Sequence, residues 1–409
     1  MRKLPKVIIN KLLLQNFRNY SKREFEFSKK TNLIIGPNAV GKTNILEAIY
    51  LLASGRCFRV KGVEREAIKY NEEIGRVNGK ITEGLEEPEE PRFAKASQGE
   101  PDGLDLEIVL TIGEVGGEKT AKKRYFVNGV GKRQIDFLGN LRAVYFGPED
   151  LDLITDSPGL RRKYLDMVLY QTDREYARAH LSYEKGLRSR NKILEDFRKK
   201  KISGGIGNLG GIDRRRLFFW DQLLIKNGNI ITRKREEYIE FLNNVQFTDY
   251  NFSRQLRDFV AIQQFSIDYD RSTISEERLA KYALEEEAAG MTLVGPQRDD
   301  FKIKIYDEKG DKGNGGEQRE KGRDLSVFGS RGEQRLAVLW LKLGELQFIK
   351  KQSGDLPVLL LDDIFSELDV AHRKLVFGLI GKHQTIITTA DRGMVDQKWL
   401  KEINLIELE

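Results

Sequence analysis

Among its 409 residues the sequence has one cysteine, Cys57, and three histidines, His180, His372 and His383. A lone thiol excludes an intramolecular disulfide and any cysteine-rich metal site, and it suits a reducing cytosol. The three imidazoles are too few and too scattered to build a zinc site or a Ser-His-Asp triad. No apolar run reaches membrane length, and no apolar core of a signal sequence follows the charged opening Met-Arg-Lys-Leu-Pro-Lys, so the expectation is a soluble, cytoplasmic protein. Also missing are an aromatic-rich platform on which bases could stack and any base-reading motif. Charge is abundant: 33% of residues are Asp, Glu, Lys or Arg, and the formal net charge is +7. A basic balance of this kind favours an acidic partner such as nucleic acid, held through its backbone rather than read by sequence. The length allows two or three domains, and an apolar fraction of 39% can build ordinary cores.

The chain is organised around residues 31–49, where a short apolar stretch, Asn32–Ile35, runs through a glycine-bracketed loop into an apolar-periodic segment. Gly36-Pro37-Asn38-Ala39-Val40-Gly41-Lys42-Thr43 fits the phosphate-loop pattern G-x-x-x-x-G-K-[ST]. There backbone N–H groups and a helix N-terminus face an anion. Lys42 would reach the β- and γ-phosphates of ATP and Thr43 would be a Mg²⁺ ligand, with Asn44 completing the binding segment. Ile45, Leu46, Ile49, Tyr50 and Leu52 recur at helical spacing, so the following helix is expected to pack on a sheet. Strand-like stretches lie before the loop, from Val7 to Phe17 and around Phe25 and Phe27. Leu104–Ile112 alternates and Tyr125–Val127 runs into Asn128-Gly129, which reads as an antiparallel layer with a hairpin turn.

Pro357–Asp363 is a buried-type strand ending in two carboxylates, the composition of a Walker B strand. Asp362 would hold Mg²⁺ and Asp363 would polarise the attacking water. Ser330-Arg331-Gly332-Glu333-Gln334 precedes an apolar helix from Leu336 to Phe348 and is similar to the signature motif of ABC-type ATPases, which acts on ATP bound by the opposite subunit. The tetrapeptide Gly-Glu-Gln-Arg also occurs at 316–319, but without the serine or the helix. Ser366-Glu367-Leu368-Asp369 resembles the D-loop at that interface. Gln384–Thr389 reads as the last strand, and Thr388 or Thr389 takes the place where transporters carry a switch histidine.

The expected fold is α/β: an ABC-type P-loop ATPase head, with a mixed β-layer and a mostly parallel sheet with helices, over 1–160 and 291–409. A mainly helical arm over 161–290 would be inserted into it. Residues 83–103 and 307–323 read as polar, flexible insertions. Basic runs at 198–201 and 214–216 flank a Gly-rich interruption, Ser203–Gly211, and fit solvated helix ends or DNA contacts equally well.

These motifs together resemble one family, RecF, the bacterial DNA replication and repair ATPases related to SMC and Rad50 heads. The resemblance is carried by Asn16–Tyr20, the phosphate loop and its helix, Gly55-Arg56 with Phe58-Arg59, and Tyr125–Gly129. Phe146–Leu151 continuing to Ser157-Pro158, Arg161-Arg162 and Asp166 carries it further, as do Gly295–Asp300, the signature and Asp362–Asp369. Gln297 stands where members of that family usually have histidine. The resemblance implies an ATP-dependent homodimer that clamps DNA at gaps and duplex/single-strand junctions. It would work with RecR and RecO to load RecA, with hydrolysis resetting the clamp. A transporter energy module would share the loop, signature and Walker B strand but have a switch histidine and no arm. An SMC- or Rad50-like structural head would need a sustained heptad rod, which 161–287 is too short and too broken to form. A nuclease would need a further carboxylate or histidine cluster.

Overall fold

The computed structural model describes residues 6–59, 64–84, 103–202, 215–245, 264–306, 322–364, 373, 376, 380, 382–390 and 403–409. The D-loop stretch Ser366–Asp369, Arg214, all of Ser203–Gly211 and nearly all of both polar insertions lie outside these residues. The chain forms two compact units, the first within 1–151 and 335–409, the second within 152–245 and 263–334.

The first unit contains two sheets. Strands β1 (Lys6–Phe17), β2 (Tyr20–Glu26), β4 (Ile74–Gly84), β5 (Leu104–Thr111), β8 (Lys123–Val127) and β9 (Val130–Lys132) pair antiparallel in the order β2-β1-β4-β5-β8-β9. Asn128 (φ 50°) and Gly129 (φ 72°) make the expected turn between β8 and β9. Two-residue strands β6 (Glu114–Val115) and β7 (Glu118–Lys119) form a separate hairpin. The second sheet is wholly parallel: β3 (Thr31–Ile35), β10 (Ala143–Phe146), β14 (Val358–Asp362), β15 (Thr385–Thr389) and β16 (Asn404–Glu407), ordered β10-β14-β15-β3-β16. β16 corrects the expectation that β15 ends the sheet. Its Asn-Leu-Ile-Glu is too short and too polar at its ends to read as a strand, and it exists through pairing with β3.

Helix α1 (Lys42–Ser54) touches β1, β4 and β5 of one sheet and β10, β14 and β15 of the other. It packs on two sheets rather than one, which is why every residue from Ile45 to Ser54 is buried and the helix has no polar face. β14 is buried along its whole length, as a central parallel strand covered on both faces must be.

The second unit is built on α2 (Pro158–Thr172), α3 (Arg174–Ile202) and α4 (Arg215–Asn243), with an antiparallel sheet of β11 (Gln264–Asp270), β12 (Asp300–Tyr306) and β13 (Arg323–Asp324). Along α3, Tyr176, His180, Tyr183, Arg190 and Leu194 fall on one buried stripe. Gly186 lies on the same stripe, where a Cβ would meet Leu223 at 2.6 Å, so the glycine allows α4 close approach. The unit begins earlier and runs later than the expected arm, taking in 152–160 and 291–334. The reason is physical. β12 pairs with β11 over seven residues, and Arg235 of α4 binds the 295–300 segment through Asp299 Oδ2 and the Pro296 carbonyl, both at 2.8 Å. The guanidinium also meets Asp166 at 2.7 Å. Burial alone would raise the Asp166 carboxyl, but Arg235 and His180 draw it far below the usual range.

Candidate nucleotide-binding site

The loop expected to bind phosphate lies between β3 and α1 in the first unit. Gly41 has φ 111°, and a Cβ there would lie 2.7 Å from both polar atoms of Asn19 and 2.8 Å from the Tyr20 hydroxyl. Those two side chains hold the loop: Asn19 Nδ2 donates to the Val40 carbonyl (2.8 Å) and Tyr20 OH to the Gly41 carbonyl (3.2 Å). Ala39, also left-handed (φ 67°), completes the tight turn. Lys42 is 8% exposed, and its Nζ donates to the carbonyls of Gly36 (2.7 Å) and Pro37 (2.8 Å). Burial lowers its pKa, while Asp363 and Asp362 act in the opposite sense. The ammonium therefore sits within the field of both Walker B carboxylates.

Asp362, at the end of β14, is the centre of the site. Its Oδ1 accepts from Thr43 (3.1 Å) and from Thr388 (2.5 Å), and its Oδ2 from the Tyr145 hydroxyl (3.1 Å). Thr388, in β15, thus aims its hydroxyl at the carboxylate. Asp363 follows with φ 45°, its N–H donating to the Thr388 carbonyl (3.1 Å) and hydroxyl (3.2 Å), which turns the chain sharply after the strand. Thr43 and Asp362 together offer hard oxygen ligands on facing elements, the donor type Mg²⁺ takes beside phosphate.

Three features escaped the sequence reading. Glu47 is 0% exposed in the middle of apolar α1, and Arg18 grips it through two bonds of 2.8 and 2.7 Å while Arg59 adds one at 3.0 Å. Arg59 also bonds Asn44, so a charged clamp reaches the first turn after the phosphate loop. A lone glutamate inside Ile-Leu-Glu-Ala-Ile, between two arginine-bearing segments, was the available signal. Tyr145 is the second. Its buried phenol bonds Glu149 (2.9 Å) as well as Asp362, and burial first, then these carboxylates, push its pKa far up, so it stays a donor. Glu149 is the third.

The signature residues Ser330–Gln334 belong to the second unit. Ser330 caps α5 (Arg331–Ser353) through a reciprocal box: its N–H donates to Glu333 Oε2 (2.7 Å) and its Oγ accepts from the Glu333 N–H (3.2 Å). Ser330, Arg331 and Gly332 are exposed, whereas Gln334 is buried and donates to the Leu325 carbonyl at 3.0 Å. Gln297 accepts from the Tyr183 hydroxyl (2.5 Å) and donates to the Val294 carbonyl (2.9 Å), a structural role inside the second unit. No group of His, Cys, Asp and Glu among the described residues could hold a metal by itself, and no described helix is long and apolar enough to cross a membrane.

A family model described as the RecF/RecN/SMC N terminal domain matches residues 8–406. The parallel sheet, phosphate loop and Walker B strand accordingly define an ABC-type ATPase of that class. The chain is 32% identical over 411 residues to the DNA replication and repair proteins RecF of Bacillus cereus (strain AH820) and Bacillus thuringiensis (strain Al Hakam), covering 98% of this chain and 97% of each relative. It is also similar to a solved structure of the recombination mediator protein RecF-ATPrS in the RecFOR pathway (TM-score 0.73, 30% identity, covering 97% of this chain and 96% of that one). The corresponding RecF-ATP structure matches with TM-score 0.75, 29% identity and coverage of 97% and 95%. The chain belongs to the RecF family of DNA replication and repair proteins.

Proposed function

We propose that this chain binds ATP with Mg²⁺ at the phosphate loop and uses it as a switch for pairing on DNA, with hydrolysis resetting the pair. The observation that carries the reading is the convergence of Lys42, Thr43, Asp362 and Asp363 from two chain segments more than 300 residues apart. Lys42 exchanges its two carbonyl partners for phosphate oxygens, and the loop N–H groups orient them. Thr43 and Asp362 would hold the cation, which would supply positive charge beside the phosphates. Asp363 orients the attacking water. Ser330 to Gln334 act on the ATP of a second copy, a role supported by the exposure of Ser330 at the capped start of α5. In this reading the homodimer clamps duplex and single-strand/duplex junctions without reading sequence and acts in the cytoplasm. Partnership with RecR and RecO, and through them RecA, is part of this reading, supported by the RecFOR pathway named for the solved relatives.

Light scattering of the purified chain with and without ATP and Mg²⁺ tests this. The expected result is a monomer that dimerises with both ligands, and a Ser330→Arg variant that binds ATP but stays monomeric. A wild-type chain that remains monomeric under every condition refutes the shared site. DNA binding that is indifferent to ATP and to Lys42→Ala refutes the switch.

A further inference from the structure

The Tyr145 hydroxyl lies between two carboxylates, 2.9 Å from Glu149 Oε2 and 3.1 Å from Asp362 Oδ2. A phenol has one hydrogen, so it can donate fully to only one of them at a time. Its ring stacks on Phe58 with centroids 3.9 Å apart, and its oxygen fills the space beside Gly147 where a Cβ would stand only 2.2 Å away. The hydroxyl therefore sits packed in place facing two acceptors.

Glu149 belongs to the turn Pro148–Leu151, and the same turn is anchored to α5. Asp150 accepts from the Gly147 N–H with one oxygen (2.9 Å) and meets Lys342 Nζ with the other (2.8 Å). Glu345, one turn along α5, is 3.6 Å from that ammonium. A small apolar pocket lined by Phe146, Pro148, Leu151, Val338 and Ile364 lies beside the turn. From Asp362 to Lys342 the contacts are continuous and all lie in the first unit.

We infer that Tyr145 is a positioning residue that reports cation occupancy at Asp362 to the 147–151 turn, and through Asp150 to Lys342 on the helix that starts at the signature. The inference rests on the reading of Thr43 and Asp362 as cation ligands. When Asp362 is engaged by a divalent cation, its charge is met by the cation and its need for hydrogen-bond donors falls. The Tyr145 hydrogen then turns to Glu149 and ties the 147–151 turn down more firmly.

Hydrogen exchange on the full chain with a non-hydrolysable ATP analogue, with Mg²⁺ or with chelator, tests this in wild type, Tyr145→Phe, Glu149→Ala and Lys42→Ala. In wild type, Mg²⁺ should add protection in peptides spanning 144–151 and 336–345. Tyr145→Phe and Glu149→Ala should lose that Mg²⁺-dependent increment while the analogue still protects 36–44. Should Tyr145→Phe fail to fold, Glu149→Ala decides, since Glu149 is exposed. The inference is overturned if wild type shows no increment, or if either variant keeps the wild-type increment. Lys42→Ala separates the two levels: if it retains protection at 36–44, the nucleotide site itself is misassigned, and if it loses it, a failed relay leaves the site standing.

Discussion

Removing Arg235 should strongly destabilise the second unit. The residue is 2% exposed, and its guanidinium meets Asp166 (2.7 Å), Asp299 (2.8 Å), the Pro296 carbonyl (2.8 Å) and the Tyr176 hydroxyl (3.2 Å). Arg235→Met keeps the stem volume and removes the charge, leaving the buried Asp299 and the largely covered Asp166 without their shared cation. The loss is softened by what remains: His180 at 3.1 Å and Tyr176 for Asp166, Tyr269 (2.5 Å) and the Ser272 N–H (2.7 Å) for Asp299. Breaking a buried pair from one side costs about 3–5 kcal/mol. For a unit of this size that lowers the melting midpoint by roughly 10 °C. Arg235→Lys should lose less, because an ammonium keeps the charge but cannot make the planar fork. Urea and thermal unfolding followed by circular dichroism would measure both variants, with nucleotide binding checked below the transition. A loss under about 1 kcal/mol for Arg235→Met would refute the view that this network holds 295–300 in the second unit. Abolished nucleotide binding in a folded variant would equally refute its structural assignment.

Two further outcomes follow from the first unit. Gly41→Ala should cost at least about 1 kcal/mol and weaken ATP-analogue binding, because φ 111° is strained for alanine and the new Cβ meets Asn19 and Tyr20; unchanged binding and unchanged urea midpoint would contradict this. The Glu345 carboxyl is pushed up to about 7, by burial first and by Asp150, against the pull of Lys342. The folded chain then holds a proton that the unfolded chain releases near its ordinary value of 4.5, so this group's contribution to stability falls as pH rises from about 4.5 to about 7. Glu345→Gln should remove that part of the pH dependence, and stability profiles that stay parallel across the window would count against the assignment.

Much of the site was legible because its signals are local. The phosphate loop is a run of backbone geometry that glycine at 41 alone permits, and the apolar run of β14 can only be a covered central strand. Ser330 and Glu333 stand three apart before an apolar helix, which is the spacing of a capping box. The hairpin at Asn128-Gly129 was legible for the same reason. Less so was the division of the chain: charge and periodicity marked the arm, but the membership of 291–334 depends on β-pairing and on Arg235, contacts made across distant sequence.

Local pattern alone was enough to find the loop, the Walker B strand, the apolar helix behind the signature and the family, since each is written in neighbouring residues. That Glu47 faces Arg18 and Arg59, that Thr388 and Tyr145 converge on Asp362, and that a four-residue β16 closes the sheet beside β3 became visible in the folded chain. A side chain's partner across the fold depends on strand order and on which element packs over it, and spacing along the chain holds no record of either.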